Sequence, residues 1–192
     1  MTVVSRAIGD LSKEDKEYLK GLAETHRRIL EGGVGASTQI LTHYTEGKVT
    51  TYDTSPEWIK RVKLELFPKV GVKGSCKFNR YEVGTTKIEG RYDLAFVDLQ
   101  WEFRLEFALK AWATLVPGGL LVLHDARRSK DIHNILQLLT IKYRELQSLE
   151  ICPENSNMAV FTKRDKRCDF IDWHSEEKMT KEQLGIDWQW EK

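Results

Sequence analysis

The stretch Arg28-Ile29-Leu30-Glu31-Gly32-Gly33-Val34-Gly35-Ala36-Ser37-Thr38-Gln39-Ile40-Leu41 decides how the chain is read. A short apolar strand runs into an acidic residue, then a glycine-rich turn, then a helix opened by Ser37 or Thr38. Gly33 and Gly35 carry no Cβ, so the backbone there is expected to turn with positive φ and to bring bare N–H groups close to a ligand. The helix that follows aims its positive end at the same spot. Glu31 closes the strand at the edge where open α/β sheets bind ligands. A carboxylate there repels phosphate and suits a ligand with hydroxyls or positive charge.

Working outward, strands and helices alternate. Leu11 to His26 reads as a charged helix with Ser12 as its cap and Glu14 and Asp15 in its first turn. Val49 to Asp53 alternates like a strand and ends on a carboxylate, and Ser55-Pro56-Glu57 opens the next helix. Cys76 to Val83 is a weaker strand, whereas Tyr92 to Asp98 is apolar through its middle and acidic at its exit, as a buried parallel strand should be. A helix from Trp101 to Leu115 is stopped by Pro117-Gly118-Gly119 before a strand from Leu120 to Leu123, with His124 and Asp125 at its carboxyl end. Asp131 to Tyr143 is a helix, and Leu146 to Ile151 and Met158 to Thr162 are two closing strands. This order implies an α/β fold: a doubly wound, mostly parallel seven-stranded sheet with helices on both faces, its last strands an antiparallel hairpin.

At 192 residues the chain has room for one sizeable domain, placed at 1–163 with its N-terminal helix. Residues 164–192 form a charged extension carrying Trp173, Trp188 and Trp190, expected to dock on the core or to join a second copy in a homo-oligomer. Lys and Arg total 30 against 29 Asp and Glu, a formal charge of +1 that makes no electrostatic case for nucleic acid or an anionic membrane. Met1 to Asp10 lacks the apolar run of a signal peptide, and no stretch approaches the roughly 18 apolar residues of a membrane span, so a cytoplasmic protein is expected. Cys76, Cys152 and Cys168 are widely spaced, without a paired metal-type pattern, and read as reduced thiols.

Four elements together, Glu31-Gly32-Gly33-Val34-Gly35, Val49 to Asp53, Tyr92 to Asp98 and Leu115 to Val122, resemble the class I S-adenosylmethionine-dependent methyltransferases, over about Ile29 to Thr162. The resemblance implies a Rossmann-like fold that binds S-adenosylmethionine through Glu31, Gly32, Gly33, Gly35, Ser37, Asp53, Thr54, Glu82 and Asp98. Within that set, Asp53 would accept from both ribose hydroxyls, Glu82 would approach the adenine, and Asp98 would lie beside the methyl group. A nicotinamide dinucleotide site is the nearest rival, which Asp53 would serve equally well. That fingerprint wants a third glycine where Thr38 stands, and Glu31 and the proline-glycine-glycine turn favour the methyl donor.

Asp98, His124 and Asp125 are the catalytic candidates. Val97-Asp98-Leu99-Gln100-Trp101 with Leu123-His124-Asp125-Ala126 is similar to magnesium-dependent O-methyltransferases, which implies a divalent metal on Asp98, Asp125 and His124. Magnesium prefers oxygen, and an imidazole in the set would favour manganese, iron or zinc. Without a metal, His124 is a general base or a structural residue. Arg127, Arg128 and Lys130 read either as a grip for an acidic acceptor or as a solvated cluster neutralised by Asp131, and Trp101 either as an acceptor wall or as a core aromatic. The expected activity is O-methylation of a small molecule, with no nucleic-acid substrate. The alternatives are a catalytically silent binding module or a partner-dependent subunit.

Overall fold

The computed structural model describes residues 11–65 and 73–165. In chain order they form α1 (Lys13–Thr25), β1 (Arg28–Gly32), α2 (Ala36–Tyr44), β2 (Lys48–Asp53), α3 (Pro56–Glu65), β3 (Ser75–Arg80), β4 (Tyr92–Val97), α4 (Trp101–Thr114), β5 (Leu115–His124), α5 (Ser129–Lys142), β6 (Leu146–Ile151) and β7 (Met158–Lys163). The sheet order is β3-β2-β1-β4-β5-β7-β6. Strands β1 to β5 pair in parallel, and β7 slots antiparallel between β5 and β6. This is the doubly wound sheet with a closing hairpin that the alternation of elements implies. The extension at 166–192, Cys168 and the oligomer contact expected there lie outside the described residues, as do Met1 to Asp10 and residues 66–72.

Strand periodicity divides the core in two. Leu94 and Phe96 face one side of β4 with Ile29, Val49 and Val122, under Leu19, Ala23 and Leu41 of α1 and α2. Ala95 and Val97 face the other with Leu30, Leu121 and Phe161, under Phe107, Trp112 and Leu138 of α4 and α5. Each fully buried Leu or Phe among these contributes about 1.5–3 kcal/mol through lost apolar surface. Asp93, at the entrance of β4, accepts from the backbone N–H groups of Arg27 and Arg28 at 3.1 and 2.9 Å, which ties the start of β1 to β4.

Several local expectations are corrected. Gly33 has φ +101°, but Gly35 is extended, so only Gly33 uses glycine's left-handed freedom. Helix α2 starts at Ala36 without a side-chain cap, because Ser37 and Thr38 turn their hydroxyls to Glu31 instead. Strand β3 ends at Arg80 rather than Val83, leaving Glu82 in the turn beyond, where its N–H donates to the Thr86 hydroxyl at 2.7 Å. Strand β5 already begins at Leu115: Gly118 makes the expected left-handed turn at φ +74°, and the chain absorbs it as a shift of register against β4.

Candidate active site

The strand order reverses between β1 and β4, which leaves a crevice at their carboxyl ends where neither connection crosses. A cleft of about 740 Å³ opens there, within the range that small ligands and cofactors fill. One side is lined by Gly33, Val34, Gly35, Ala36, Ser37 and Asp53, and the other by Asp98, Trp101, Arg104, His124, Asp125, Arg128 and Lys130.

Close approach builds the first side. The Gly33 N–H donates to the Tyr52 carbonyl at 2.8 Å and the Asp98 N–H to the Gly32 carbonyl at 2.6 Å, stitching the loop to β2 and β4. A Cβ on Gly33 would stand 2.6 Å from the Asp98 carbonyl carbon, and one on Gly32 would enter the Phe107 ring. Asp53 accepts from the N–H groups of Val34 at 3.0 Å and Ser55 at 2.9 Å. Burial pushes its pKa up against the pull of the Ser55, Val34 and Thr54 amides. The carboxylate thus holds the loop in place while lining the cleft.

Glu31 lies elsewhere. It is fully buried beneath the loop, accepting from Ser37 at 2.6 Å and Thr38 at 2.7 Å, and it does not line the cleft. Burial pushes its pKa up to about 7, the Ser37, Thr51 and Thr38 hydroxyls pull it back, and Asp98 adds to the rise. Gly32, Thr54 and Glu82 also lie outside the lining. The Thr54 hydroxyl donates to Gln100 at 3.1 Å, and Glu82 pairs with Arg80 at 3.5 Å.

On the other side stands a residue that the sequence reading passed over. Arg104, buried in α4, donates from Nε to the Leu99 carbonyl at 2.6 Å and from Nη1 to the His124 carbonyl at 2.8 Å and to Asp131 at 2.9 Å. Its Nη2 donates to Asp98 at 2.7 Å and Asp125 at 2.9 Å. A guanidinium has five N–H donors, and here every one is engaged. The signal was present: positions 104, 107, 108 and 111 share one helical face, and the other three are buried and apolar. Asp125 takes left-handed backbone at φ 64°, and its carboxylate also meets Arg128 at 2.7 Å and Asn157 at 3.3 Å.

His124 is buried with Nδ1 3.2 Å from Asp98 and 3.6 Å from Asp125, neither aligned as a hydrogen bond. Its Nε2 meets Asp15 of α1 at 3.4 Å. Burial pulls its pKa down, but Asp98, Asp125 and Asp15 outweigh that and raise it. Ser12 is the expected cap of α1, Asp15 closes a capping box with it, and Asp15 also accepts from the Asn157 N–H at 2.6 Å. Burial pushes the Asp15 pKa up, yet the Asn157 and Ser12 hydrogen bonds and the nearby His124 bring it below the usual carboxylate value.

No protein-family model and no curated protein matches the sequence. Solved structures do match in fold. A methyltransferase-like protein from Silicibacter pomeroyi superposes with a TM-score of 0.65 at 17% identity, over 92% of this chain and 96% of that one. An O-methyltransferase from Bacillus cereus, solved with S-adenosylhomocysteine, gives 0.60 at 15% identity over 81% and 84%. A tRNA methyltransferase from Aquifex aeolicus gives 0.63 at 18% identity over 85% and 74%. The chain has the class I methyltransferase fold.

Within this methyltransferase fold the expected site residues separate by side. Gly33, Gly35, Ser37 and Asp53 line the half beside the glycine loop, and Asp98, His124 and Asp125 converge in the other. Asp98, His124 and Asp125 could each offer a ligand atom, all within 4.8 Å of one another. The fit to a hard divalent ion is poor, because Asp98 and Asp125 already hold Arg104, and Asp125 also holds Arg128. Arg128 is thereby spent on internal pairs, including Asp131 at 2.6 Å, while Lys130 stands 6.0 Å over the Trp101 ring. Trp101 is 48% exposed at the cleft, so it is no core aromatic. No helix among the described residues is long and apolar enough to cross a membrane.

Proposed function

We propose that the chain is an S-adenosylmethionine-dependent methyltransferase that methylates an oxygen of a small molecule. The carrying observation is that the glycine bend, the Asp53 carboxylate and the Asp98–His124–Asp125 cluster line one cleft at the switch point of the sheet. The Gly33–Ser37 loop and Asp53 would hold the cofactor, with the positive end of α2 beside a carboxylate able to accept from sugar hydroxyls. When bound, that cofactor supplies a methyl carbon on a positive sulfur that leaves as a neutral thioether.

What remains for this chain's residues is to align the acceptor, exclude water and take a proton. The Asp98–His124 pair takes it, since His124 Nδ1 is 3.2 Å from Asp98 and has no aligned partner of its own. Trp101 and Lys130 border the acceptor half and suit an aromatic or anionic compound. The fold's occurrence in a tRNA methyltransferase leaves the choice of acceptor to the site, and the balanced charge of this chain favours a small one.

The experiment is calorimetry with S-adenosylmethionine and S-adenosylhomocysteine, followed by transfer of a labelled methyl group to a panel of catechols, hydroxy acids and sugars. Heat with both ligands and label on one acceptor class is expected. Binding without transfer to any acceptor makes the chain a silent binding module, and no binding at all defeats the proposal.

A further inference from the structure

Three carboxylates, Asp98, Asp125 and Asp131, converge on one buried guanidinium, and two of them also face the unpartnered Nδ1 of His124. Oxygen and nitrogen atoms gathered this closely ordinarily need a cation among them, because like charges brought together out of water repel strongly. We propose that Arg104 is that cation, built into the chain. It neutralises and spaces Asp98 and Asp125 as a divalent ion would, and its removal converts the cluster into a divalent-metal site.

Three observations carry this. Arg104 sits on the apolar face of α4 at 4% exposure, so its backbone position commits the charge to the interior. All five donors are satisfied in a planar fork, which locks the guanidinium and holds two strand-end acids at a set separation. Arg128 adds a second guanidinium 2.7 Å from Asp125 and 2.6 Å from Asp131, so an incoming dication would meet two fixed positive charges. Magnesium demands near-octahedral oxygen coordination, and oxygens of Asp98 and Asp125 are already committed to nitrogen donors. Arg104 is therefore a positioning residue. It rests on the methyltransferase reading only for what the acids then do to an acceptor.

The test uses Mn²⁺ as the probe on the full chain, followed by electron paramagnetic resonance, with metal content after chelator dialysis and thermal melting alongside. The wild-type chain is expected to carry no stoichiometric metal, to melt unchanged after chelation and to bind no Mn²⁺ at millimolar concentration. Arg104→Ala is expected to bind one Mn²⁺ per chain at least about tenfold more tightly than wild type, since removing a like charge beside a cation is worth more than that factor. Asp98→Asn on top of it should abolish the gain. One tightly held Mn²⁺ on the wild-type chain, lost in Asp98→Asn, overturns the proposal, as does a folded Arg104→Ala that ignores the ion. Should Arg104→Ala not fold, the wild-type titration still decides: binding refutes, and indifference to metal and chelator supports. None of these readouts uses methyl transfer, so a failed acceptor search leaves them intact.

Discussion

Gly33→Ala tests the bend on which the cleft depends. The residue sits at φ +101°, and its missing Cβ would stand 2.6 Å from the Asp98 carbonyl carbon and 3.0 Å from the Leu99 nitrogen. Those are backbone atoms of the β4 exit and cannot swing aside. The left-handed conformation costs an alanine about 1–2 kcal/mol, and forcing a methyl into filled space costs about 1–3 kcal/mol more. A combined loss of about 2–5 kcal/mol, at about 2–4 °C per kcal/mol for a chain of this size, lowers the melting temperature by about 4–20 °C. Gly84 supplies the control, because it too has positive φ, at +76°, yet nothing lies within 4 Å of its Cβ position. Gly84→Ala isolates the conformational part, about 1–2 kcal/mol. Scanning calorimetry of both variants and titration with S-adenosylmethionine read the difference. Gly33→Ala should melt clearly below Gly84→Ala and bind the cofactor more weakly. Equal melting of the two variants would show that the loop and the β4 exit are not packed as described.

Asp53→Ala removes an acceptor held by two amides at the cleft, and a charge-assisted hydrogen bond of about 1.5–3 kcal/mol predicts a roughly ten- to hundredfold weaker cofactor Kd by calorimetry. Glu31 is protonated more readily in the folded chain than in the unfolded one, so folding takes up a proton and stability falls as pH rises from about 4.5 to about 7. Denaturant titrations across that window should show Glu31→Gln with a flatter profile than wild type, and parallel profiles would rule the carboxyl out as the cause. Asp15→Asn removes one of the carboxylates that raise the His124 pKa, so the acid limb of the kcat profile should move to lower pH, while a loss of rate at every pH would indicate a purely structural Asp15.

The order of strands and helices was legible because each buried strand is a short apolar run ending on a polar residue, and each helix carries its own period. The β4 exit at Asp98 and the β2 exit at Asp53 were readable for the same reason. Glu31 misled. An acid at the end of a strand looks identical in sequence whether it faces a ligand or turns under its own loop, and the hydroxyls of Ser37 and Thr38 settle that only in three dimensions. Arg104 escaped notice because a lone arginine in a mixed helix reads as solvated, although it lies in the stripe with Ala108 and Ala111. Asp15 was readable as a first-turn acid behind the Ser12 cap, and it does bond back to that cap. Its second role depends on His124 and Asn157, which lie 109 and 142 residues away, beyond the reach of any local pattern.

That last contact sets an order on synthesis. A growing polypeptide has made its glycine bend and both acidic strand ends long before Asn157 leaves the ribosome, yet until then Asp15 lacks one of the two groups that steady it against the imidazole. A chain cut short of β7 lacks that amide together with Met158, Ala159, Val160 and Phe161, which complete both faces of the core, so the surroundings of the imidazole are finished by the same strand that closes the sheet.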